Sequence, residues 1–465
     1  MMRRVAALLL AVTTIAGAAL AQSAATTERH AAADAAGSLA LHLCTGYFST
    51  EAPRSLIVDN ISTVAFPTAP ATSPTDVDEL AKTVSVRYAD DMPPRIAVQR
   101  GVLGCTLMPI GATKAAAVAL RKPALTAPNL DGRPWPTGEA NARGSLSDDR
   151  TAAVERVLDD AFKNETGGYR GVTWGVVVVK DGRIVAERYQ QSMAPHVSAR
   201  TYSMCKSLGA TLVGIGVKKG LLDLDRKAPL TEWRTPGDPR GEITLNDLMH
   251  MTSGLYSEAA ARPDNFLYLS GAPVSEIAAL RTMDSRPGAR FVYAGADTVL
   301  AVRALREAVN DDAAFMTFPH RELLWKIGMT RTIVESDWNS DFIVSGQCWS
   351  TPRDFARLGL LYLADGVWNG ERLLPVGWSK YVATPASAQP PRPSIGGDAG
   401  YGAQFWLHGG LDGLPADAYA AFGSRGQYAM IIPSQNLVVV RRGFDGDAAF
   451  NISKFSADVV QALAK

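Results

Sequence analysis

The sequence predicts an α+β fold in which one antiparallel sheet, flanked by terminal helices, lies beside a helical lobe. Residues 174–189 form two β-branched, apolar runs around the turn sequence Asp181-Gly182, a strong signal for a hairpin. Residues 427–441 form a second such pair near the other end, and a helix with one apolar face follows it. Residues 203–379 between them are mostly helical in pattern. The strands at residues 174–189 and 427–441, although far apart in the chain, are therefore expected to belong to a single sheet.

Length and composition describe a globular protein with more than one compact unit. The chain has 465 residues, of which 47% are hydrophobic and 20% charged, and its net charge is +1. A chain of this length exceeds a single ordinary core. The near-zero net charge provides no general attraction for nucleic acid or for an anionic membrane, so neither is expected as a partner.

The first 21 residues have the pattern of a secretory signal peptide. Residues 1–21 begin with the basic sequence MMRR, continue as an apolar run and end in ALA, an A-x-A cleavage site. A membrane anchor is the less favoured alternative, because Thr13, Thr14 and Gly17 interrupt the apolar run. We expect the mature protein to be periplasmic or secreted and to have no membrane association once the signal is removed.

Composition divides the rest of the chain into three parts. Residues 22–121 are expected to form a small N-terminal mixed lobe, with strands near 82–88 and 95–99. Residues 122–146 are rich in Pro and Gly and are interpreted as an extended linker. The main domain, residues 147–465, begins with a serine that can cap a helix.

The four cysteines give one expected disulfide and one open question. Cys44 and Cys105 both belong to the N-terminal lobe, and in an oxidising compartment we expect them to pair. Cys205 and Cys348 belong to the main domain and are far apart in the sequence. A second bridge and two buried thiols are both compatible with their spacing.

A serine and a lysine three residues apart stand in front of a long apolar run. Ser203 and Lys206 precede residues 208–217, which are typical of a buried helix. On a helix the two side chains share a face, so the amine can reach the hydroxyl oxygen. Burial favours the neutral form of an amine, which can act as a base. The pair is interpreted as an acylation centre; a helix cap beside a solvated lysine is the alternative that this motif alone leaves open.

Further motifs identify the family that the main domain resembles. Residues 243–255, ITLNDLMHMTSGL, resemble the "ITLxxLLxMTSGL" signature of the serine beta-lactamase-related hydrolases. That superfamily holds class C beta-lactamases, D-alanyl-D-alanine peptidases, family VIII esterases and 6-aminohexanoate-dimer hydrolases. Matches in the family's order follow at residues 286–293, 326–332, 350–359, 368–375 and 401–406. The resemblance covers about residue 147 to the C-terminus and implies a beta-lactamase/transpeptidase-like fold. The later motifs are most similar to those of the aminohexanoate-dimer-hydrolase branch.

The resemblance assigns roles to several residues. It makes Ser203 the nucleophile and Tyr293 the proton shuttle, whose hydroxyl, close to Ser203 and Lys206, would take the nucleophile's proton and pass it to the leaving group. It places the oxyanion hole at the backbone N–H groups of Ser203 and Ser424. Gly423 would let a substrate approach the strand edge closely.

Two departures from the family's pattern bear on the substrate. Gly295 stands where many relatives have Asn, which removes an amide able to hold a substrate carbonyl, and Asp297 is the candidate to replace it. The sequence Ala421-Phe422-Gly423 stands where many relatives have Lys-Thr-Gly or His-Thr-Gly. The cation that grips a substrate carboxylate is therefore missing there. Arg425 is a candidate to supply a charge, with a solvated arginine as the alternative.

The sequence as a whole favours an exported serine hydrolase that cleaves a small-molecule linear amide or short ester through an acyl-enzyme. No organic cofactor or metal is expected, since the six histidines show no zinc-binding spacing, and His250 is interpreted as structural. The alternatives are an inert acyl- or cell-wall-binding module, and a beta-lactamase or D-alanyl-D-alanine peptidase. The sequence leaves the oligomeric state open.

Overall fold

The computed structural model describes residues 2–59, 68–190, 193–257, 265–394, 396–446 and 449–465. Its helices are α1 (Met2–Ser49), α2 (Arg54–Asp59), α3 (Lys114–Val118), α4 (Asp148–Ala161), α5 (Cys205–Lys218), α6 (Leu245–Met249), α7 (Asn265–Leu269), α8 (Val274–Ala279), α9 (Gly295–Val309), α10 (Asp312–Phe318), α11 (Pro352–Leu363), α12 (Trp378–Val382) and α13 (Ile452–Ala464). Its strands are β1 (Thr75–Asp78), β2 (Thr83–Val86), β3 (Arg95–Gln99), β4 (Cys105–Leu107), β5 (Thr173–Lys180), β6 (Arg183–Tyr189), β7 (Ala199–Arg200), β8 (Ile333–Val334), β9 (Cys348–Ser350), β10 (Val367–Trp368), β11 (Glu371–Arg372), β12 (Gly400–Tyr401), β13 (Trp406–Leu407), β14 (Tyr419–Gly423), β15 (Gln427–Ile432) and β16 (Leu437–Gly443).

A seven-stranded antiparallel sheet forms the centre of the main domain. Its strand order is β12-β13-β14-β15-β16-β5-β6, so the strands from the two ends of the domain meet where β16 pairs with β5. Val439 lies opposite Val178 in that pairing. The prediction of one antiparallel sheet built from both ends of the domain is confirmed.

The sheet is covered on both faces, which explains its unbroken valine runs. In β5, Val176 and Val178 pack into the core that α4 and α13 complete, while Val177 and Val179 pack into the core of the helical lobe. Side chains alternate between the faces of a strand, so a strand buried on both faces is apolar at every position. The turn between β5 and β6 has positive φ at Asp181 (50°) and Gly182 (78°), as a two-residue hairpin turn requires.

The stretch between the hairpins is less purely helical than expected. It contains α5 to α12, with the largely buried α5 packed against α9. It also contains β8 and β9, which join β7 in a three-stranded sheet, and the β10–β11 hairpin. Strands this short leave no two-residue periodicity in the sequence, and the helical pattern around them hides them.

The N-terminal lobe is a four-stranded antiparallel sheet, β1-β2-β3-β4, packed against the second half of α1. β2 and β3 lie where strands were expected. A disulfide joins Cys44 of α1 to Cys105 of β4, with 6.0 Å between the Cα atoms. The predicted signal segment forms the first part of α1, apart from Met1, which lies outside the described residues. Among the described residues, no helix combines the length and apolar character that a bilayer crossing needs.

A buried arginine joins this lobe to the main domain. The side chain of Arg100 is fully buried, and its guanidinium donates to Ser336 Oγ (3.2 Å), the Asp337 carbonyl (2.9 Å) and Ser340 Oγ (2.9 Å). Thr106 of β4 adds a hydrogen bond from its hydroxyl to the Ser336 carbonyl (2.8 Å). Buried polar groups of this kind must stay paired, so the lobe is bound firmly to the loop that follows β8.

The segment interpreted as a linker is also bound to the main domain. Trp135 is buried and donates its indole N–H to the Gly182 carbonyl (2.9 Å). The Arg357 guanidinium of α11 lies 4.6 Å from the centre of the Trp135 ring and donates to the Pro136 carbonyl (2.6 Å). Residues 122–146 thus run along the surface of the main domain as a strap, held by their aromatic side chain and their carbonyl groups.

Arg100→Met is expected to lower the free energy of unfolding by about 3 kcal/mol, because the buried acceptors of its guanidinium lose their donor. Urea unfolding followed by circular dichroism measures the change. Arg87→Met, at an exposed arginine of the same lobe, is the matched control and should change stability by less than about 0.5 kcal/mol. Equal effects of the two substitutions would contradict the role of Arg100 as a buried link.

Candidate active site

Ser203 lies in a tight turn directly before α5. The turn is a 3₁₀ segment, Tyr202–Met204, and Lys206 follows in the first turn of α5. Tyr202 has positive φ (48°), a conformation that costs a bulky residue of order 1 kcal/mol. The turn brings Lys206 Nζ to 3.1 Å from Ser203 Oγ. The contact expected from the spacing of the two residues is therefore present.

The Lys206 amine is almost completely enclosed. Its residue is 4% exposed, and Nζ donates to the Ser345 carbonyl at 2.6 Å. The amine also lies 4.8 Å from the centre of the Tyr293 ring. Burial lowers the pKa of Lys206 to about 7, because the charged form loses its hydration. A large fraction of this lysine is neutral near neutral pH and has a lone pair available for a proton.

Tyr293 completes a group of three side chains. Its phenol is near enough to Ser203 for that hydroxyl to oppose the rise in the Tyr293 pKa, and its ring packs against Tyr401 and Trp406 at centre-to-centre distances of 5.8 and 5.4 Å. Burial raises the pKa of Tyr293 to about 12, so the phenol keeps its proton at neutral pH. The structure thus brings together the hydroxyl, the amine and the phenol that the sequence singled out. A neutral amine and a protonated phenol around one hydroxyl can accept, pass on and return a proton.

The end of β14 lies against the serine turn. A Cβ atom added at Gly423 would stand 2.2 Å from the Thr201 carbonyl oxygen and 3.1 Å from Ser203 N. Only glycine fits this approach, and it keeps the space beside the Ser203 amide free of side-chain atoms. Ser424 follows directly and is exposed. The two residues expected to supply oxyanion-hole donors therefore belong to adjoining segments.

Two of the predicted substrate-binding candidates are engaged elsewhere. Arg425 donates to the Asp445 carbonyl (3.3 Å) and lies 5.9 Å from the centre of the Phe444 ring. Asp297 is 1% exposed and accepts a hydrogen bond from Ser253 Oγ (2.9 Å), and burial raises its pKa to about 7. This leaves Asp297 no exposed surface for a substrate. Its position supports the loop that carries the MTSGL sequence.

Two residues that the sequence motifs did not single out stand next to the lysine. Tyr268 of α7 has its hydroxyl 2.6 Å from Ser345 Oγ, and the Ser345 carbonyl accepts a hydrogen bond from the Lys206 amine. A Cβ atom added at Gly295 would stand 1.9 Å from the Tyr268 hydroxyl oxygen. The one sequence signal for this arrangement is the glycine itself, at the position where relatives have Asn.

The structure decides the open question about the second cysteine pair. Cys205 and Cys348 form a disulfide with their Cα atoms 5.7 Å apart. The Cys348 carbonyl also accepts hydrogen bonds from the backbone N–H (2.9 Å) and the hydroxyl (3.1 Å) of Thr201. The start of α5 is therefore attached to β9 by a covalent bond as well as by hydrogen bonds.

His250 belongs to the packing around α6. It is buried, its Nδ1 lies 3.1 Å from the Asn246 carbonyl oxygen, and its ring meets that of Tyr381 edge to face. Burial lowers the pKa of His250, which keeps the ring neutral. Within the part of the chain that the structure describes, no three His, Cys, Asp or Glu side chains converge in a way that could hold a metal ion.

Comparison with known proteins agrees with this geometry. A family model described as beta-lactamase matches residues 158–441. No curated protein sequence matches the chain.

Several solved structures share the fold. A protein from Bacillus anthracis assigned as a 6-aminohexanoate-dimer hydrolase is 21% identical, with a TM-score of 0.51 over 67% of this chain and 80% of its own. A penicillin-binding protein homologue from Caulobacter crescentus is 16% identical, with a TM-score of 0.54 over 69% of this chain and 98% of its own. A family VIII carboxylesterase is 14% identical, with a TM-score of 0.55 over 69% and 98% of the two chains. At these identities the likeness establishes the fold alone.

Gly423→Ala is expected to reduce kcat/KM on an activated ester roughly 100-fold, since the new methyl group collides with the serine turn and displaces the Ser203 amide. Gly132→Ala is the matched control, because a Cβ atom there meets nothing within 4 Å. Steady-state hydrolysis and thermal unfolding are measured for both. Unchanged hydrolysis by Gly423→Ala would show that this approach has no part in the site.

Proposed function

The chain belongs to the beta-lactamase family of serine hydrolases, and on that premise we propose that it cleaves linear amides or short esters through an acyl-enzyme on Ser203. One observation carries the proposal: Ser203 Oγ lies 3.1 Å from an enclosed lysine amine, which itself lies 4.8 Å from the centre of the Tyr293 ring. A serine is a weak nucleophile by itself and needs a neighbouring base. A buried amine with a pKa near 7 is such a base at neutral pH.

In the proposed acylation step, neutral Lys206 takes the proton of Ser203 as Oγ attacks the substrate carbonyl carbon. The carbonyl oxygen becomes an oxyanion that accepts hydrogen bonds from the backbone N–H groups of Ser203 and Ser424. The Tyr293 phenol gives its proton to the leaving nitrogen or oxygen, and the protonated Lys206 amine restores it. The bond to the leaving group breaks, and the acyl group stays on Ser203.

Deacylation uses the same groups in the reverse direction. Water attacks the acyl carbon and passes its proton to the Lys206–Tyr293 pair. The tetrahedral intermediate collapses, Ser203 Oγ takes a proton back, and the carboxylic acid leaves. The Ser345 carbonyl receives the amine throughout this cycle and prevents it from turning away from Ser203.

The surroundings of the site favour an uncharged substrate. Residues 421–423 supply no cation, and Arg425 is engaged with Asp445 and Phe444. Aromatic rings pack around the Tyr293 phenol instead, including Trp406. A free carboxylate would find no strong partner from these residues, so linear amides and short esters are favoured over penicillins. Among the solved structures of the same fold, the carboxylesterase agrees with an uncharged substrate, whereas the dimer named for the 6-aminohexanoate-dimer hydrolase carries a free carboxylate.

Export is part of the proposal. Residues 1–21 have the pattern of a cleaved secretory signal. The chain also carries two disulfides, Cys44–Cys105 and Cys205–Cys348, which are typical of proteins that mature in an oxidising compartment. The proposed location is the periplasm or the extracellular medium.

Ser203→Ala is expected to reduce turnover at least about 1000-fold while thermal stability changes little, because the substitution removes only the attacking oxygen. The substrates are nitrophenyl esters, linear aminohexanoate dimers and nitrocefin, and a fluorophosphonate probe followed by mass spectrometry locates the acylated residue. Ser145→Ala, at an exposed serine of the strap, is the control and should label as wild type does.

The same panel separates the rival functions. A wild-type protein that shows neither labelling nor an ester burst would be an acyl- or cell-wall-binding module. Rapid nitrocefin turnover would instead assign it as a beta-lactamase.

The activity is expected to rise with pH around an apparent pKa near 7. Below that value Lys206 is protonated and cannot accept the Ser203 proton, whereas above it the amine is neutral and the rate reaches a plateau. Tyr293, with a pKa of about 12, keeps its proton through the plateau. The measurement is kcat/KM from pH 5.5 to pH 9. A flat profile over that range would contradict the assignment of Lys206 as the base.

A further inference from the structure

Tyr268 occupies a position from which it can control the lysine without touching it. Its hydroxyl lies 2.6 Å from Ser345 Oγ, and the Ser345 carbonyl lies 2.6 Å from Lys206 Nζ. All three residues are buried. The chain of contacts is therefore short, enclosed and continuous from the phenol of α7 to the amine of α5.

Gly295 is matched to this phenol. The Tyr268 hydroxyl oxygen stands 1.9 Å from the place where a Cβ atom at residue 295 would lie, so any side chain there would displace it. The Tyr268 hydroxyl thus occupies the space that a Cβ atom at residue 295 would need. A phenol brought in from another helix fills space that a side chain at residue 295 would otherwise take.

We propose that Tyr268 is a positioning residue for Lys206, which acts through Ser345, and that Gly295 is required because it makes room for the Tyr268 hydroxyl. The proposal rests on the proposed function, in which Lys206 is the base. A lysine side chain has four rotatable bonds, and an enclosed amine stays aimed at Ser203 only if its second partner is held in place. The Ser345 carbonyl is that partner, and Tyr268 fixes the residue that carries it.

The N-terminal lobe holds both ends of the Tyr268–Ser345 contact. Arg95 of β3 is fully buried and donates to the carbonyl of Leu269, the residue after Tyr268, at 2.7 Å. It also donates to the Ala33 carbonyl of α1 at 2.8 Å. On the Ser345 side, Arg100 binds the loop at residues 336–340. The lobe thereby holds the backbone next to Tyr268 and the loop that precedes Ser345.

The titratable groups around the amine allow a pH profile to be interpreted. Tyr293 faces Lys206, Tyr268 reaches it through Ser345, and burial raises the pKa of both phenols, so they are neutral near pH 7. Tyr401 packs on Tyr293, and burial raises its pKa as well. Asp297 of α9 is bound to Ser253. Burial alone lowers the pKa of Lys206. A change in its enclosure therefore shifts the acid limb of the pH profile, which is the low-pH range where kcat falls because the amine is protonated.

The test is Tyr268→Phe, which keeps the ring and removes the hydroxyl. The expected result is a roughly tenfold lower kcat at pH 7, a KM within about twofold of wild type, and an acid limb about one pH unit higher, because a loosened Ser345 admits water to the amine. Fluorophosphonate labelling of Ser203 should persist at a lower rate, which separates this proposal from the proposed function. A wild-type kcat and acid limb would overturn the proposal.

Tyr169→Phe is the matched control, since it also removes a phenol hydrogen bond, to Asp458 at 2.7 Å, but between the segment before β5 and α13, on the other side of the sheet. It should lower the melting temperature and leave the acid limb unchanged. A shift of the acid limb in Tyr169→Phe as large as that in Tyr268→Phe would overturn the proposal, because general loosening would then explain both.

Two further variants keep the proposal testable if Tyr268→Phe folds poorly. Ser345→Ala keeps the carbonyl, removes the hydroxyl that Tyr268 binds, and should raise the acid limb by the same amount. Gly295→Ala should impair kcat strongly in the wild-type background and less than additively in Tyr268→Phe, where the colliding oxygen is gone. A wild-type acid limb in Ser345→Ala would overturn the proposal. Strict additivity of the effects of Gly295→Ala and Tyr268→Phe on the logarithm of kcat would also overturn it.

Discussion

The enclosure of the Lys206 amine is the constraint on which the site depends. In water an amine of this type is protonated at neutral pH and has no lone pair to offer. Here α5, the Ser345 carbonyl and the Tyr293 ring surround it, and removal of water makes the neutral form accessible. The same enclosure is costly, because a misplaced amine would be a buried donor without an acceptor. The structure limits this cost by holding neighbouring groups in place, through the Cys205–Cys348 disulfide, the hydrogen bond from Thr201 to the Cys348 carbonyl and the contact of Tyr268 with Ser345.

Glycine positions shape the site as much as side chains do. At Gly423 the missing Cβ lets a strand end reach the serine turn, and at Gly295 it lets the Tyr268 phenol reach Ser345, the carbonyl partner of Lys206. In the first case the space stays open toward the Ser203 amide. In the second it is filled from a distant helix. A missing Cβ can therefore either keep space in the site open or let a side chain from another helix fill it.

The parts of the molecule that local sequence could predict are those made by neighbours in the chain. The sheet followed from valine runs and turn residues, and the Ser203–Lys206 contact followed from helical spacing. Tyr293 needed the family's motifs, since nothing in its own surroundings marks it. The contact between Tyr268 and Ser345 could not be predicted, because 77 residues separate them and only the folded chain brings them together. The attachment of residues 122–146 was missed for a similar reason, as a Pro- and Gly-rich composition indicates an extended backbone but not what binds it.

The buried arginines of the N-terminal lobe affect how the protein unfolds. The family match spans residues 158–441, so the lobe lies outside the part shared with relatives. Yet Arg95 and Arg100 donate to acceptors that belong to the main domain, and loss of the lobe would take these donors from the Leu269 and Asp337 carbonyls and expose to water the surface that the lobe covers. Two regions that share buried hydrogen bonds in this way cannot melt independently. We therefore expect the N-terminal lobe and the main domain to unfold as one cooperative unit, although the composition of the sequence divides them.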